Sequence, residues 1–89
     1  MQFENLAGLY QYFDDLAEQD VESDILFASS YIRGFIGLAA SEFGDEQQSL
    51  TLPLAENVSG KLFEARTELT PQDRVIVNGY WQSIVIAFK

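Results

Sequence analysis

Apolar residues recur every three or four positions from the start of the chain. Phe3, Leu6, Leu9, Tyr10, Phe13, Leu16 and Ala17 share one side of a helical wheel, and Glu4, Gln11, Asp14, Asp15 and Glu18 share the other. That period predicts an amphipathic helix over residues 3–18 with an acidic outer face. The polar stretch from Glu18 to Glu22 ends it. Ser23 is placed to cap a second helix, with Asp24 favourably set at its positive end. This helix is expected over 24–43 and stops at Gly44, a residue suited to the left-handed turn after a helix. Ile25, Ala28, Tyr31, Ile32, Phe35, Ile36, Leu38, Ala39 and Phe43 cover most of its wheel. A helix apolar on so many sides is normally the central one, touched by several neighbours.

A narrower stripe runs along the same helix. Ser30, Gly34, Gly37 and Ser41 fall within roughly 60° of one another at 100° per residue. Small side chains in a row let another backbone approach closely. Tight packing inside the domain is the first reading; a close homodimer contact or a ligand groove are the others.

After the polar loop Asp45–Ser49, Pro53 fits the first turn of a third helix over 53–67, where its missing N–H costs nothing. Leu54, Ala55, Val58, Leu62, Ala65 and Leu69 share a face, and Phe63 points away from it. Thr70-Pro71-Gln72-Asp73 then starts a fourth helix over 71–87: a Thr cap, Pro in the first turn and an acid three residues on. Asn78-Gly79 between apolar runs is also a hairpin signal. Yet Val77, Trp81, Ile84, Val85 and Phe88 keep helical spacing with Arg74, Asn78 and Gln82 opposite. A hairpin would also need a sheet to join.

The pattern as a whole predicts an all-α fold, a small four-helix bundle in one domain (residues 1–89) with the second helix central. The expected core is Leu6, Leu9, Phe13, Leu16, Leu26, Phe27, Tyr31, Ile32, Phe35, Leu38, Val58, Leu62, Val77, Trp81, Ile84 and Val85.

Charge changes the picture next. Residues 1–60 hold eleven carboxylates and one cation, Arg33; the rest hold three carboxylates and four cations, for a net charge of −9. So acidic a molecule is a poor partner for nucleic acid or an anionic membrane. Composition, 47% hydrophobic in 89 residues, supports a thin core and predicts apolar surface left over for a partner. The N-terminus lacks the basic region of a signal peptide, no apolar run spans a bilayer, and a cytoplasmic protein is expected. Without a secretion signal the triplet Asn57-Val58-Ser59 carries no glycosylation reading.

Candidate chemistry is sparse. The chain has no Cys and no His, so thiolate and imidazole nucleophiles, bases and ligands are missing. No nucleophile elbow, phosphate loop or dinucleotide fingerprint occurs, and neither an enzyme nor a cofactor is expected. Asp20, Glu22 and Asp24 alternate like calcium-loop ligands, but Ile25 and Tyr31 stand where the loop needs Gly and Glu. Asp14, Asp15 and Glu18 read as a solvated helix face. Arg33, set among apolar and small residues, should seek an acid. Asp14, Asp15 or Glu18 would make it a packing ion pair; an acid on another chain or a ligand would make it an interface contact.

Two segments resemble the YfcL family of small bacterial proteins. Asp24-Ile25-Leu26-Phe27-Ala28-Ser29-Ser30-Tyr31-Ile32-Arg33-Gly34 is similar to the family's D-x-L-F-A-S-x-Y-(L/I)-R-G run. Leu69-Thr70-Pro71-Gln72-Asp73, with Trp81 eight residues later, resembles its L-(S/T)-P-x-D…W ending. The resemblance implies an entirely helical protein without an assigned biochemical function, and it offers no catalytic residues to carry over. It also implies that Phe27, Tyr31, Arg33, Gly34 and Trp81 are central to the family. The ending Ile84-Val85-Ile86-Ala87-Phe88 is more apolar than the family's and points to a buried or paired C-terminus.

With Gly37 added from the small stripe, these residues form the candidate interaction set. The leading expectation is a non-catalytic protein-interaction module whose partner is another protein or a second copy. An acidic nucleic-acid mimic that occupies a DNA- or RNA-binding protein is one alternative. A small-ligand carrier with a pocket lined by Tyr31, Phe35 or Trp81 is the other.

Overall fold

The computed structural model describes residues 2–89, which contain four α-helices and no strand. Helix α1 spans Leu6–Glu18. It starts at Leu6 rather than residue 3 because the Asn5 side chain caps it, accepting from the Gly8 N–H at 3.0 Å. Helix α2 spans Ser23–Ala40. Ser23 is its first residue, not its cap: Glu22 holds the cap position, and no side chain bonds there. The chain leaves α2 through a turn ending at Gly44, whose φ of +146° is open to glycine and strained for other residues.

Helix α3 spans Leu52–Glu64, capped by the Thr51 hydroxyl, and tightens into a 3₁₀ turn over Ala65–Glu68. Helix α4 spans Pro71–Val85, and the Thr70 hydroxyl accepts from the Asp73 N–H at 3.2 Å. The hairpin alternative is thereby removed: Asn78-Gly79 lies inside α4. The cap, the proline and the buried positions Val77, Trp81 and Ile84 act together against the local turn signal.

Helix α2 packs against all three others. Ala28, Ile32, Ile36 and Ala39 are fully buried along its inner side. Leu6, Leu9 and Phe13 meet them from α1, Leu54, Val58 and Leu62 from α3, and Val77, Trp81 and Ile84 from α4. The Trp81 indole N–H donates to Ser59 Oγ at 2.9 Å, which ties α4 to α3.

Two long-range backbone links close the molecule. The loop after α2 turns back on the start of α1, so that Leu6 and Ala7 donate to the carbonyls of Gln48 and Glu46 at 2.9 and 2.8 Å. These satisfy helix N–H groups that have no partner within α1. At the other end, the Lys89 N–H donates to the Leu50 carbonyl at 2.8 Å, with Ala87 and Phe88 buried beside it. The apolar ending is thus paired and largely covered, with Ile84, Ala87 and Phe88 buried and Ile86 left 65% exposed, and α4 stops at Val85, after which the chain turns inward.

The expected core departs from the structure on α2. Phe27 is 38% exposed and Leu38 62% exposed, while Leu26, Tyr31, Phe35 and Val85 are half-buried. Three neighbours contact one broad arc of the helix, from Ala28 round to Ala40. Phe27 and Leu38 lie on the opposite side at 100° per residue. Apolar content on every face therefore does not mean burial on every face. Residues outside the expected core set, Ala28, Ile36, Ala39, Leu50, Leu54 and Phe88, are buried instead.

This orientation of α2 predicts a contrast. Ile36→Ala should cost about 2–5 kcal/mol and lower the melting temperature by roughly 10 °C or more. Val75→Ala, at an exposed position, should stay within about 0.5 kcal/mol. Thermal unfolding followed by circular dichroism reads both, and equal losses would contradict the assignment of the inner arc.

Candidate interaction surface

The outer side of α2 gathers most of the residues singled out by sequence. Phe27, Tyr31 and Phe35 follow one another at a spacing of four and pack with tilted rings, their centroids 5.8 and 5.0 Å apart. Leu38 continues the row. Beside it run Ser30, Gly34 and Ser41, all exposed. The tight-packing reading of the small stripe fails at its centre: a Cβ added at Gly34 would meet nothing within 4 Å. At Gly37 it would sit 3.6 Å from the Tyr10 hydroxyl, an ordinary contact. The result is a shallow strip walled on one side by large apolar groups.

Arg33 and Gly37 occupy the other flank. The Arg33 guanidinium lies over the Tyr10 ring, 4.5 Å from its centroid, and reaches Asp14 at 3.5 Å. The acid it finds is therefore on α1, as the ion-pair reading expects. Both charged groups are about half exposed, and the Arg33 Nε is covered without a hydrogen-bond partner. Such a pair is worth little in water, so the stacking on Tyr10 carries much of the contact.

Trp81 stands apart from this face. Its indole is 4% exposed and packs edge-on against Phe88, with ring centroids 5.5 Å apart. Its free edge belongs to a cleft between α3 and α4. The structure thus brings together Phe27, Tyr31 and Gly34, sets Arg33 and Gly37 alongside, and places Trp81 elsewhere. Phe35 and Leu38 join the surface although their spacing had placed them in the core. Their apolar character gave no sign of it; only the positions of the neighbouring helices decide.

A groove of about 320 Å³ runs between α2 and α4, lined by Ile25, Ala28, Val75, Ile76 and Tyr80 among others. The Tyr80 hydroxyl is covered and makes no hydrogen bond of good geometry. Burial pushes its pKa well above the usual tyrosine value, and the nearby Tyr12 phenol adds to the shift. Burial also raises Tyr31, with a smaller push from the Glu68 carboxylate, and Tyr10, which Arg33 partly opposes. No helix among the described residues is long and apolar enough to cross a membrane.

The model of the family described as YfcL protein matches residues 2–85, so the chain belongs to that family. No curated protein and no solved structure matches it.

Two outcomes follow from these contacts. Arg33→Ala should lower stability by only about 1 kcal/mol, the sum expected of an exposed ion pair and one cation–π contact. Chemical denaturation of the two forms measures it, and a loss above about 3 kcal/mol would show a buried role. The raised tyrosines set an alkaline limit. Their neutral forms are favoured by folding, so their contribution is complete below the unfolded pKa of about 10 and is lost as pH rises above it. Tyr80→Phe should flatten that decline while leaving the melting temperature at pH 7 unchanged or slightly higher, because it removes an unpaired hydroxyl. Thermal melts from pH 7 to 11 test both.

Proposed function

We propose that this member of the YfcL family is a non-catalytic protein-interaction module that pairs with a second copy of itself through the outer side of α2. The observation that carries the reading is the exposure of Phe27 and Leu38 on either side of Gly34, along the central helix of the fold. Apolar surface of this kind on a small domain marks a contact site.

The pattern is self-complementary. A two-fold axis at Gly34, with the two α2 helices antiparallel, sets Phe27 opposite Ser41 of the other copy, Leu38 opposite Ser30 and Tyr31 opposite Gly37. Phe27, Tyr31 and Leu38 each then meet a small residue, while Phe35, further round the helix, faces Arg33. Glycine at the crossing point lets the backbones come close. Phe27, Ser30, Tyr31, Gly34, Leu38 and Ser41 carry no charge at neutral pH. Two molecules of net charge −9 therefore bring no charge into the centre of this contact, with Glu64 and Glu68 at its edge beside Phe35 and Leu38.

One helix face is a small interface, so the pairing is weak, and mutual repulsion of the two acidic bodies weakens it further at low salt. The clefts around the molecule are open to solvent, and the readings as an acidic mimic or a carrier draw on no feature as specific as this face.

Sedimentation equilibrium should show a monomer–dimer equilibrium near 100 µM protein (on the order of the weak interfaces) that shifts toward dimer as salt rises. Gly34→Gln should abolish the dimer without unfolding the monomer, because the space beside Gly34 is empty. A strict monomer at every salt concentration, or a dimer indifferent to Gly34→Gln, would overturn the proposal.

A further inference from the structure

The cleft between α3 and α4 differs in its charge from four other grooves of the surface. The grooves that contain Ile25, Arg33, Phe35 and Phe3 each carry at least one carboxylate, from Asp24, Asp14, Glu64 with Glu68, and Glu4 respectively. The cleft beside Trp81 carries none. It holds about 250 Å³ and contains two of the chain's five cations, Arg66 and Arg74. Arg33 and Lys61 are paired with Asp14 and Glu42. Among the described residues no carboxylate lies within 4 Å of Arg66 or Arg74, in a chain with fourteen acids.

Both arginines are held in place by backbone. Arg66 lies over the Phe63 ring, 3.8 Å from its centroid, and its Nη1 donates to the Phe63 carbonyl at 2.6 Å. Arg74 Nε donates to the Arg66 carbonyl at 2.6 Å. These bonds satisfy carbonyls at the end of α3 and in the 3₁₀ turn, which is a sufficient structural reason for one donor of each side chain. A guanidinium has five, and among the described residues no further acceptor takes the rest. Along α4, Arg74, Asn78 and Gln82 follow at a spacing of four and line the same cleft, so two amides extend the row of donors.

We infer that this cleft binds a phosphate monoester with an aromatic or apolar body. A doubly charged phosphoryl group matches two guanidinium groups in charge and in the number of acceptor oxygens, and the exposed Phe63 offers the body an apolar surface. The site is independent of the self-association proposed above, because none of its lining residues belongs to α2.

Trp81, the one tryptophan, gives a local readout through its indole N–H signal in a proton–nitrogen correlation spectrum. Titration with phenyl phosphate at about 20 mM salt, low enough to limit screening, should shift that signal and saturate in the millimolar range or below. Benzoate should bind at least several-fold more weakly, and benzyl alcohol should have no effect. Asn78→Asp places a carboxylate in the cleft at an exposed position and keeps both arginine contacts. It should raise the dissociation constant at least tenfold with the melting temperature unchanged. A response that does not saturate, benzoate binding as tight as phenyl phosphate, or indifference to Asn78→Asp would each overturn the inference. The monomer–dimer equilibrium of Asn78→Asp should stay that of the parent protein, which separates this site from the α2 face.

Discussion

Burial of the inner arc of α2 organises this molecule. An 89-residue chain has little interior to share, and here most of it is arranged around Ala28, Ile32, Ile36 and Ala39. The alternation of small and branched residues matters. Ala28 and Ala39 let neighbouring helices approach, while Ile32 and Ile36 fill the space between them. Because one helix serves three partners, none of α1, α3 and α4 needs an extensive contact with the others. The same economy leaves the far side of α2 uncovered, so the core's geometry and the candidate interaction surface have a single cause.

Charge does little to hold this arrangement. The ion pairs Arg33–Asp14 and Lys61–Glu42 are both partly exposed, where such pairs contribute little. Most of the carboxylates repel one another across the surface. The ends of the chain are instead fixed by neutral hydrogen bonds, from Leu6 and Ala7 to the loop after α2 and from Lys89 to Leu50. These links join segments remote in sequence and lie beside buried Leu6, Leu50 and Phe88.

The helices were legible in the sequence because their signals are local. Thr70-Pro71 marks α4, Pro53 marks the start of α3, and the spacing of Leu6, Leu9, Phe13 and Leu16 defines the buried side of α1. What was not legible depends on neighbours. Ser23 looks like a cap, but the helix begins at it rather than after it. Phe27 and Leu38 look like core, yet periodicity alone cannot tell which side of an all-round apolar helix faces inward. The pairing of Arg33 with α1 could be narrowed to three acids by composition; the choice of Asp14 needed the packing of α1 on α2. Arg66 and Arg74 were visible only as part of a more basic C-terminal third. Their convergence depends on the 3₁₀ turn that folds the end of α3 back toward α4.

Gly34 is the position on which the proposed pairing of α2 turns. Glycine inside a helix is less stable than alanine by about 1 kcal/mol. At Gly44 the chain has a reason, a backbone angle that other residues resist. At Gly34 it has none: the backbone is helical and a Cβ would enter open space. Gly60 and Gly79 are also sterically free, so openness alone does not single out a contact. What distinguishes Gly34 is its setting, between exposed Phe27 and Leu38 on a strip without charge. A monomer would be stabilised by filling that position. A helix laid across it, as the proposed pairing requires, would not tolerate the added atoms.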